Sequence, residues 1–154
     1  MPGAALLHPW PLAAAALILV NHLWLRRMHP GFWSGKLSDI GICFLLPIVI
    51  VATWEWFVVA TRSLRGGGGD SPRAVPLAAV FVAGAYFTAL KLWPVAGRWH
   101  AELVRSVAGS AQSITRDPSD LVCLVFTVMA YLYLCRWRRR RAQAPPAAAT
   151  QGGL

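Results

Sequence analysis

The sequence predicts an all-α integral membrane protein, a bundle of four transmembrane helices, and two observations support this. Hydrophobic residues make up 56% of the chain and charged residues only 14%, whereas about a quarter of a soluble domain is charged. Four apolar stretches have lengths close to the about 20 residues that a helix needs to cross roughly 30 Å of hydrocarbon. Because lipid cannot satisfy unpaired backbone groups, each stretch should be helical. The predicted spans are residues 4–25, 40–60, 75–93 and 121–137.

The first span should be retained as a helix and not removed as a signal peptide. Residues 1–7 contain no Lys or Arg, and no small-x-small cleavage site precedes Arg26. In the second span Pro47 removes a helical hydrogen bond and should kink the helix. Residues 62–73 read RSLRGGGGDSPR, which is typical of a flexible polar linker to the third span.

Two further segments flank the fourth span within the predicted membrane domain, residues 1–141. In residues 97–114 apolar side chains such as Trp99 and Leu103 recur at helical spacing, which predicts an amphipathic helix on the bilayer surface. After the span comes an arginine cluster, residues 136–141, which is typical of a membrane anchor. The Ala/Pro/Gln/Gly-rich tail, residues 142–154, should be disordered.

The distribution of basic residues predicts the orientation in a bacterial plasma membrane. The net charge of +9 is concentrated at the ends of the apolar stretches, where it anchors the spans. No nucleic-acid partner is therefore expected. Eight of the fifteen Lys and Arg residues fall in the 62–73 linker and the C-terminal region. Because positive charge is retained on the cytoplasmic side, we expect both termini to be cytoplasmic.

Similar residues recur in the two halves of the chain, which suggests an internal duplication. Ser38-Asp39 opens the second span and Ser119-Asp120 opens the fourth, and a cysteine follows each pair, Cys43 and Cys123. Two helical hairpins in parallel repeat would bring both Ser-Asp pairs to the same membrane face. The cysteines form no C-x-x-C pair, so neither a disulfide framework nor a zinc site is indicated.

Polar residues near the ends of the spans are the candidate site. Asn21 and His22 lie in the last turns of the first span, where polar side chains are costly and mark either a functional site or an interhelical hydrogen bond. Before the second span Lys36 supplies a cation. Ser38 should cap the helix, and Asp39 should lie at the positive end of its dipole.

With both termini cytoplasmic, the loops before the second and the fourth span are the two outer loops, and the second of them offers further candidates. Asp117 and Pro118 fit an N-cap followed by a proline at the first helical position, and Asp120 fits the first turn. If the two outer loops converge, Asp39, Asp117 and Asp120 would share a vestibule with Lys36, Lys91 and His22. Grouped carboxylates can bind a hard cation or exchange a proton. No metal or cofactor motif is present in the sequence.

Two short motifs carry a resemblance to a known group of proteins. The first is the loop PG-x(3)-GKLSD, residues 30–39, and the second is the DP[ST]DL element, residues 117–121. The chain resembles a family of small uncharacterised bacterial polytopic membrane proteins. That resemblance implies a multi-pass helical fold but no established activity. Members often have Asp directly after the asparagine, where this chain has His22.

The function predicted from these residues is the binding or processing of a membrane-associated anionic ligand, such as a lipid headgroup, at the outer face. The chain lacks the D-x-x-D-G-x-x-A-R pattern of phospholipid phosphotransferases and offers no triad or H-E-x-x-H motif, so the sequence does not decide whether it is an enzyme. Two alternatives remain open. One is a small oligomeric transporter or proton-coupled carrier, and the other is a non-catalytic accessory subunit with a membrane-protein partner.

Overall fold

The computed structural model describes residues 1–28, 32–65, 74–109 and 117–143, and these are helical apart from short connections. A 3-10 turn, Ala4–Leu7, precedes α1 (Pro9–Val20), which continues into a π-helical turn, Asn21–Leu25, and a last turn, Arg26–Met28. The other helices are α2 (Phe32–Arg65), α3 (Val75–Leu92), α4 (Pro94–Ala108) and α5 (Val125–Gln143). A second 3-10 segment, Pro118–Leu124, leads into α5.

Three of the described helical segments are long and apolar enough to cross a membrane. They are Ser34–Thr61, Val75–Leu92 and Pro118–Gln143, whereas the apolar helix Pro9–Leu25 is shorter. α2 packs against α1, α3 and α5, and α3 also packs against α5. Small side chains such as Ala79, Ala83 and Ala130 are buried where these helices meet, which lets helices in lipid approach closely.

The boundaries of the helices follow from prolines and one glycine. Pro9 and Pro76 lie in the first turns of α1 and α3, where a missing N–H is not needed. Pro94 ends α3 and starts α4, because the residue before a proline is forced into an extended conformation; Trp93 has φ −106° and ψ 113°. α4 ends at Gly109, whose φ of 67° is a left-handed conformation that favours glycine.

The structure corrects several boundaries predicted from hydropathy. The predicted first span, residues 4–25, is interrupted at His8, where the prolines restart the helix. The predicted 40–60 span begins at Phe32 and extends to Arg65, so the first four residues of the predicted linker are helical; residues 66–73 lie outside the described residues. Hydropathy indicates where a helix can contact lipid. A helix can extend beyond that stretch wherever its backbone and its polar side chains find hydrogen-bond partners.

The third span, predicted at residues 75–93, is observed as Val75–Leu92. The helix predicted at residues 97–114 is observed as Pro94–Ala108, and residues 110–116 lie outside the described residues. The fourth span, predicted at 121–137, begins as the 3-10 segment and continues through the arginine cluster. Of the predicted tail, Ala142 and Gln143 are helical, and residues 144–154 lie outside the described part.

The N-terminal segment packs across the end of the helices that carries the arginine cluster. The Gly3 N–H donates to Glu55 Oε2 at 2.9 Å, and the Tyr133 hydroxyl donates to the Ala5 carbonyl at 2.7 Å. Arg141 donates to the Met1 carbonyl at 2.9 Å. Glu55 is sixteen residues after Asp39, which corresponds to about 24 Å along α2. The candidate site residues of α2 therefore lie at the opposite end of the molecule.

Candidate functional site

Four charged side chains from three helical segments form one cluster, which we call the ionic cluster: Lys36, Asp39, Lys91 and Asp120. The Lys91 ammonium donates to Asp39 Oδ2 at 2.7 Å and to Asp120 Oδ2 at 2.6 Å. The Lys36 ammonium donates to the other oxygen of the second carboxylate, Asp120 Oδ1, at 2.9 Å. Asp39 and Asp120 therefore share one ammonium, which confirms the predicted proximity of the two Ser-Asp pairs.

The local structure explains why these side chains meet. Lys36 and Asp39 are three residues apart and lie in the first turns of α2, Lys91 lies in the last turn of α3, and Asp120 lies in the first turn of the 3-10 segment. Each charge is thus at a helix end, and the centres of the spans carry none of the four. The ring of Phe87, one turn before Lys91, lies 5.4 Å from the ammonium and adds a cation–π contact.

Burial divides the cluster into an inner and an outer part. The side chains of Lys91 and Asp120 are each 8% exposed and that of Asp39 is 14% exposed, whereas that of Lys36 is 19% exposed. Two carboxylates and one ammonium thus form the inner part. Lys36 is the cation that faces outward.

Lys36 also belongs to a second polar group, which we call the rim and which consists of Lys36, Asp117 and Ser119. Its ammonium donates to the Ser119 hydroxyl oxygen at 2.8 Å. The Ser119 backbone N–H donates to Asp117 Oδ1 at 2.9 Å, so Asp117 is the N-cap of the 3-10 segment, as predicted. Hydrogen bonds from the Ser119 side chain and then its backbone lower the pKa of Asp117 below its ordinary value. Asp117 is therefore ionised at neutral pH.

Asn21 holds the end of the first helix against α2. Its side-chain amide donates to the Ser34 carbonyl and to the Ser38 hydroxyl, and the residue is 1% exposed. Because a carbonyl has no hydrogen to donate, the amide nitrogen must face Ser34. The amide oxygen, Asn21 Oδ1, is then buried without a hydrogen-bond partner among the described residues. Asn21 also begins the π-helical turn, a feature often found at functional sites.

Three predicted roles are corrected. Ser38 and Asp39 do not start the helix, because α2 begins at Phe32; Ser38 accepts from Asn21 instead of capping, and Asp39 is stabilised by Lys91 instead of by the helix dipole. His22 is exposed and belongs neither to the ionic cluster nor to the rim, because Asn21 faces α2 and the next residue of a helical turn points in a different direction.

Of the eight predicted site residues, the structure brings five together: Lys36, Asp39, Lys91, Asp117 and Asp120. Asn21 and Ser38 form a separate contact on another side of α2. The sequence did not predict the contact of Ser119 with Lys36. One signal could have pointed to the cluster: Lys36 and Lys91 are the two lysines of the chain, whereas it has thirteen arginines.

Comparisons of the chain with protein-family models, with curated proteins and with solved structures each found no match.

Proposed function

We propose that this protein binds the phosphate group of a membrane lipid through Lys36, at the membrane face where the ionic cluster lies. The observation that carries the proposal is the outward-facing lysine at the end of membrane-length helices. Ser34–Thr61 comprises 28 residues, which correspond to about 42 Å of helix. Since the hydrocarbon layer is about 30 Å thick, the ends of this helix reach the headgroup layers. Lys36 is at that depth.

The hydrogen bonds of Asp120 support an exchange of partners at Lys36. Asp120 uses Oδ1 for Lys36 and Oδ2 for Lys91. A phosphate oxygen that replaces Oδ1 at Lys36 would leave Asp120 paired with Lys91, so no buried charge would be uncompensated. The Ser119 hydroxyl accepts from the same ammonium, and its one O–H, by turning away from Asp117, can donate to a second phosphate oxygen. Lys36 and Ser119 would thus bind the ligand while Lys91 maintains the fold.

The membrane arrangement that accompanies this proposal has four spans in a bacterial plasma membrane. Pro9–Leu25 would be the fourth, because it is apolar and its 17 residues give about 26 Å, which local thinning or polar ends can accommodate. With four spans both termini lie on one side. The arginine cluster, residues 136–141, favours the cytoplasm for that side, and the ionic cluster would then face outward.

We expect Lys36→Gln to remove phospholipid binding without unfolding the protein, since glutamine keeps a polar donor but loses the charge. The protein, purified in a maltoside detergent that contains no phosphate, would be titrated with phosphatidylethanolamine and phosphatidylglycerol, and retained lipid would be counted by native mass spectrometry. Binding should fall by about tenfold or more. Diacylglycerol, which lacks phosphate, should bind no better to the native protein than to the variant.

Arg98→Gln is the matched control, because Arg98 is an exposed cation on α4 outside the ionic cluster and the rim. It should retain the native affinity. If Lys36→Gln binds both phospholipids as tightly as the native protein does, Lys36 is not the phosphate ligand and the proposed function is wrong.

A further inference from the structure

The charges around Lys36 do not suit a simple anion. The ionic cluster and the rim together contain two ammonium groups, from Lys36 and Lys91, and three carboxylates, from Asp39, Asp117 and Asp120. Lys91 is occupied by two of the carboxylates. Within these five groups, a ligand with only negative charge would meet one more carboxylate than ammonium groups. A ligand that also carries a positive charge would not meet this repulsion.

The surplus carboxylate belongs to the rim. The side chain of Asp117 is in contact with Ser119, whose hydroxyl is in contact with Lys36, so the carboxylate and the ammonium are linked through a single residue. Among the described residues Asp117 forms no ion pair. It lies just before the membrane-length segment Pro118–Gln143, so it would lie at the level of the headgroups when that segment spans the membrane. One cation and one anion are thus presented side by side at the membrane surface.

We propose that the lipid is a zwitterionic aminophospholipid with a phosphoethanolamine headgroup. This inference rests on the function proposed above and names the ligand of the same site. The phosphate binds Lys36 and Ser119, and the primary ammonium of the headgroup donates to Asp117. Charge-assisted hydrogen bonds of this kind are among the stronger ones in proteins.

The same geometry discriminates between headgroups. Phosphatidylglycerol carries no cation for Asp117. The quaternary ammonium of phosphatidylcholine has no N–H to donate to a carboxylate, and such groups are typically bound by aromatic cages. Phosphatidylserine adds a carboxylate to a site that already has a surplus. Phosphatidylethanolamine alone among these four offers a donor-bearing cation next to the phosphate without additional negative charge.

The test is the headgroup preference of Asp117→Asn, measured as above with phosphatidylethanolamine, phosphatidylglycerol and phosphatidylcholine. Asparagine also caps helices, so the start of the 3-10 segment and the fold should be kept, which a melting curve checks. The native protein should prefer phosphatidylethanolamine over each of the other lipids by about tenfold. The variant should lose this preference, because its binding of phosphatidylethanolamine weakens while its affinity for phosphatidylglycerol is unchanged or higher. Glu102→Gln, an exposed carboxylate on α4, should leave the preference unchanged.

Two outcomes would overturn the inference and leave the proposed function standing, provided that Lys36→Gln still abolishes binding. One is a native protein that binds phosphatidylglycerol or phosphatidylcholine as tightly as phosphatidylethanolamine. The other is an unchanged preference in Asp117→Asn. If Lys36→Gln has no effect on any lipid, the failure is that of the proposed function itself.

Discussion

Replacing Lys91 with methionine should destabilise the protein more than any other single change in the ionic cluster, by about 3–5 kcal/mol. The ammonium of Lys91 lies between Asp39 and Asp120 and is 8% exposed. Methionine has a similar length and no charge. Its introduction leaves Asp39 without a cation and places two carboxylates side by side in a poorly hydrated environment, where the cost of an uncompensated charge is large.

Melting of Lys91→Met in detergent, followed through the reactivity of the buried thiols Cys43 and Cys123, measures this effect. The midpoint should fall by about 6–20 °C. The control combines Lys91→Met with Asp39→Asn and Asp120→Asn, which removes both carboxylates that the ammonium contacts along with the ammonium itself. This triple variant should recover most of the stability. If Lys91→Met alone melts at the same temperature as the native protein, Lys91 does not neutralise the carboxylates of Asp39 and Asp120.

The second large effect is expected at Gly41, where α1 packs closely on α2. A Cβ atom at this position would lie 2.6 Å from Ile18 Cγ1 and 3.3 Å from the Ala14 carbonyl oxygen. Gly41→Ala should force the two helices apart and lower the free energy of unfolding by about 1–3 kcal/mol.

Gly35→Ala is the matched control on the same helix, because none of the described atoms lies within 4 Å of a Cβ at Gly35. There alanine should stabilise the protein by up to about 1 kcal/mol through its higher helix propensity. The two substitutions should shift the melting midpoint in opposite directions. Equal shifts would mean that α1 does not pack on Gly41 as described.

The sequence predicted a helix best where the apolar run and the helix end at the same residue. The third predicted span differs from Val75–Leu92 by one residue, because Pro94 ends the helix and the apolar run together. The start of α2 was missed because Lys36, Ser38 and Asp39 are polar. Hydrogen bonds to residues of other helical segments allow these polar side chains to lie within the helix. Such tertiary contacts cannot be read from hydropathy.

The sequence predicted most residues of the candidate site, but it did not predict which of them pair with each other. The paired Ser-Asp elements predicted that Asp39 and Asp120 would lie at the same end, and they share Lys91. Which lysine contacts which carboxylate depends on the rotation of each helix about its axis. The same rotation decides that Asn21 is buried while its neighbour His22 is exposed, and a π-helical turn at this point alters the register further.

The most direct test of the central claim uses the fact that the chain contains two lysines, both in the ionic cluster. Protein labelled with [15N]lysine and reconstituted in phosphatidylethanolamine bilayers should give two ammonium signals in solid-state NMR, and Lys36→Gln identifies them by removing one. Dipolar dephasing by lipid ³¹P should reduce the Lys36 signal and leave the Lys91 signal unchanged. Dephasing of neither signal, or of the Lys91 signal instead, would contradict the binding of a lipid phosphate by Lys36.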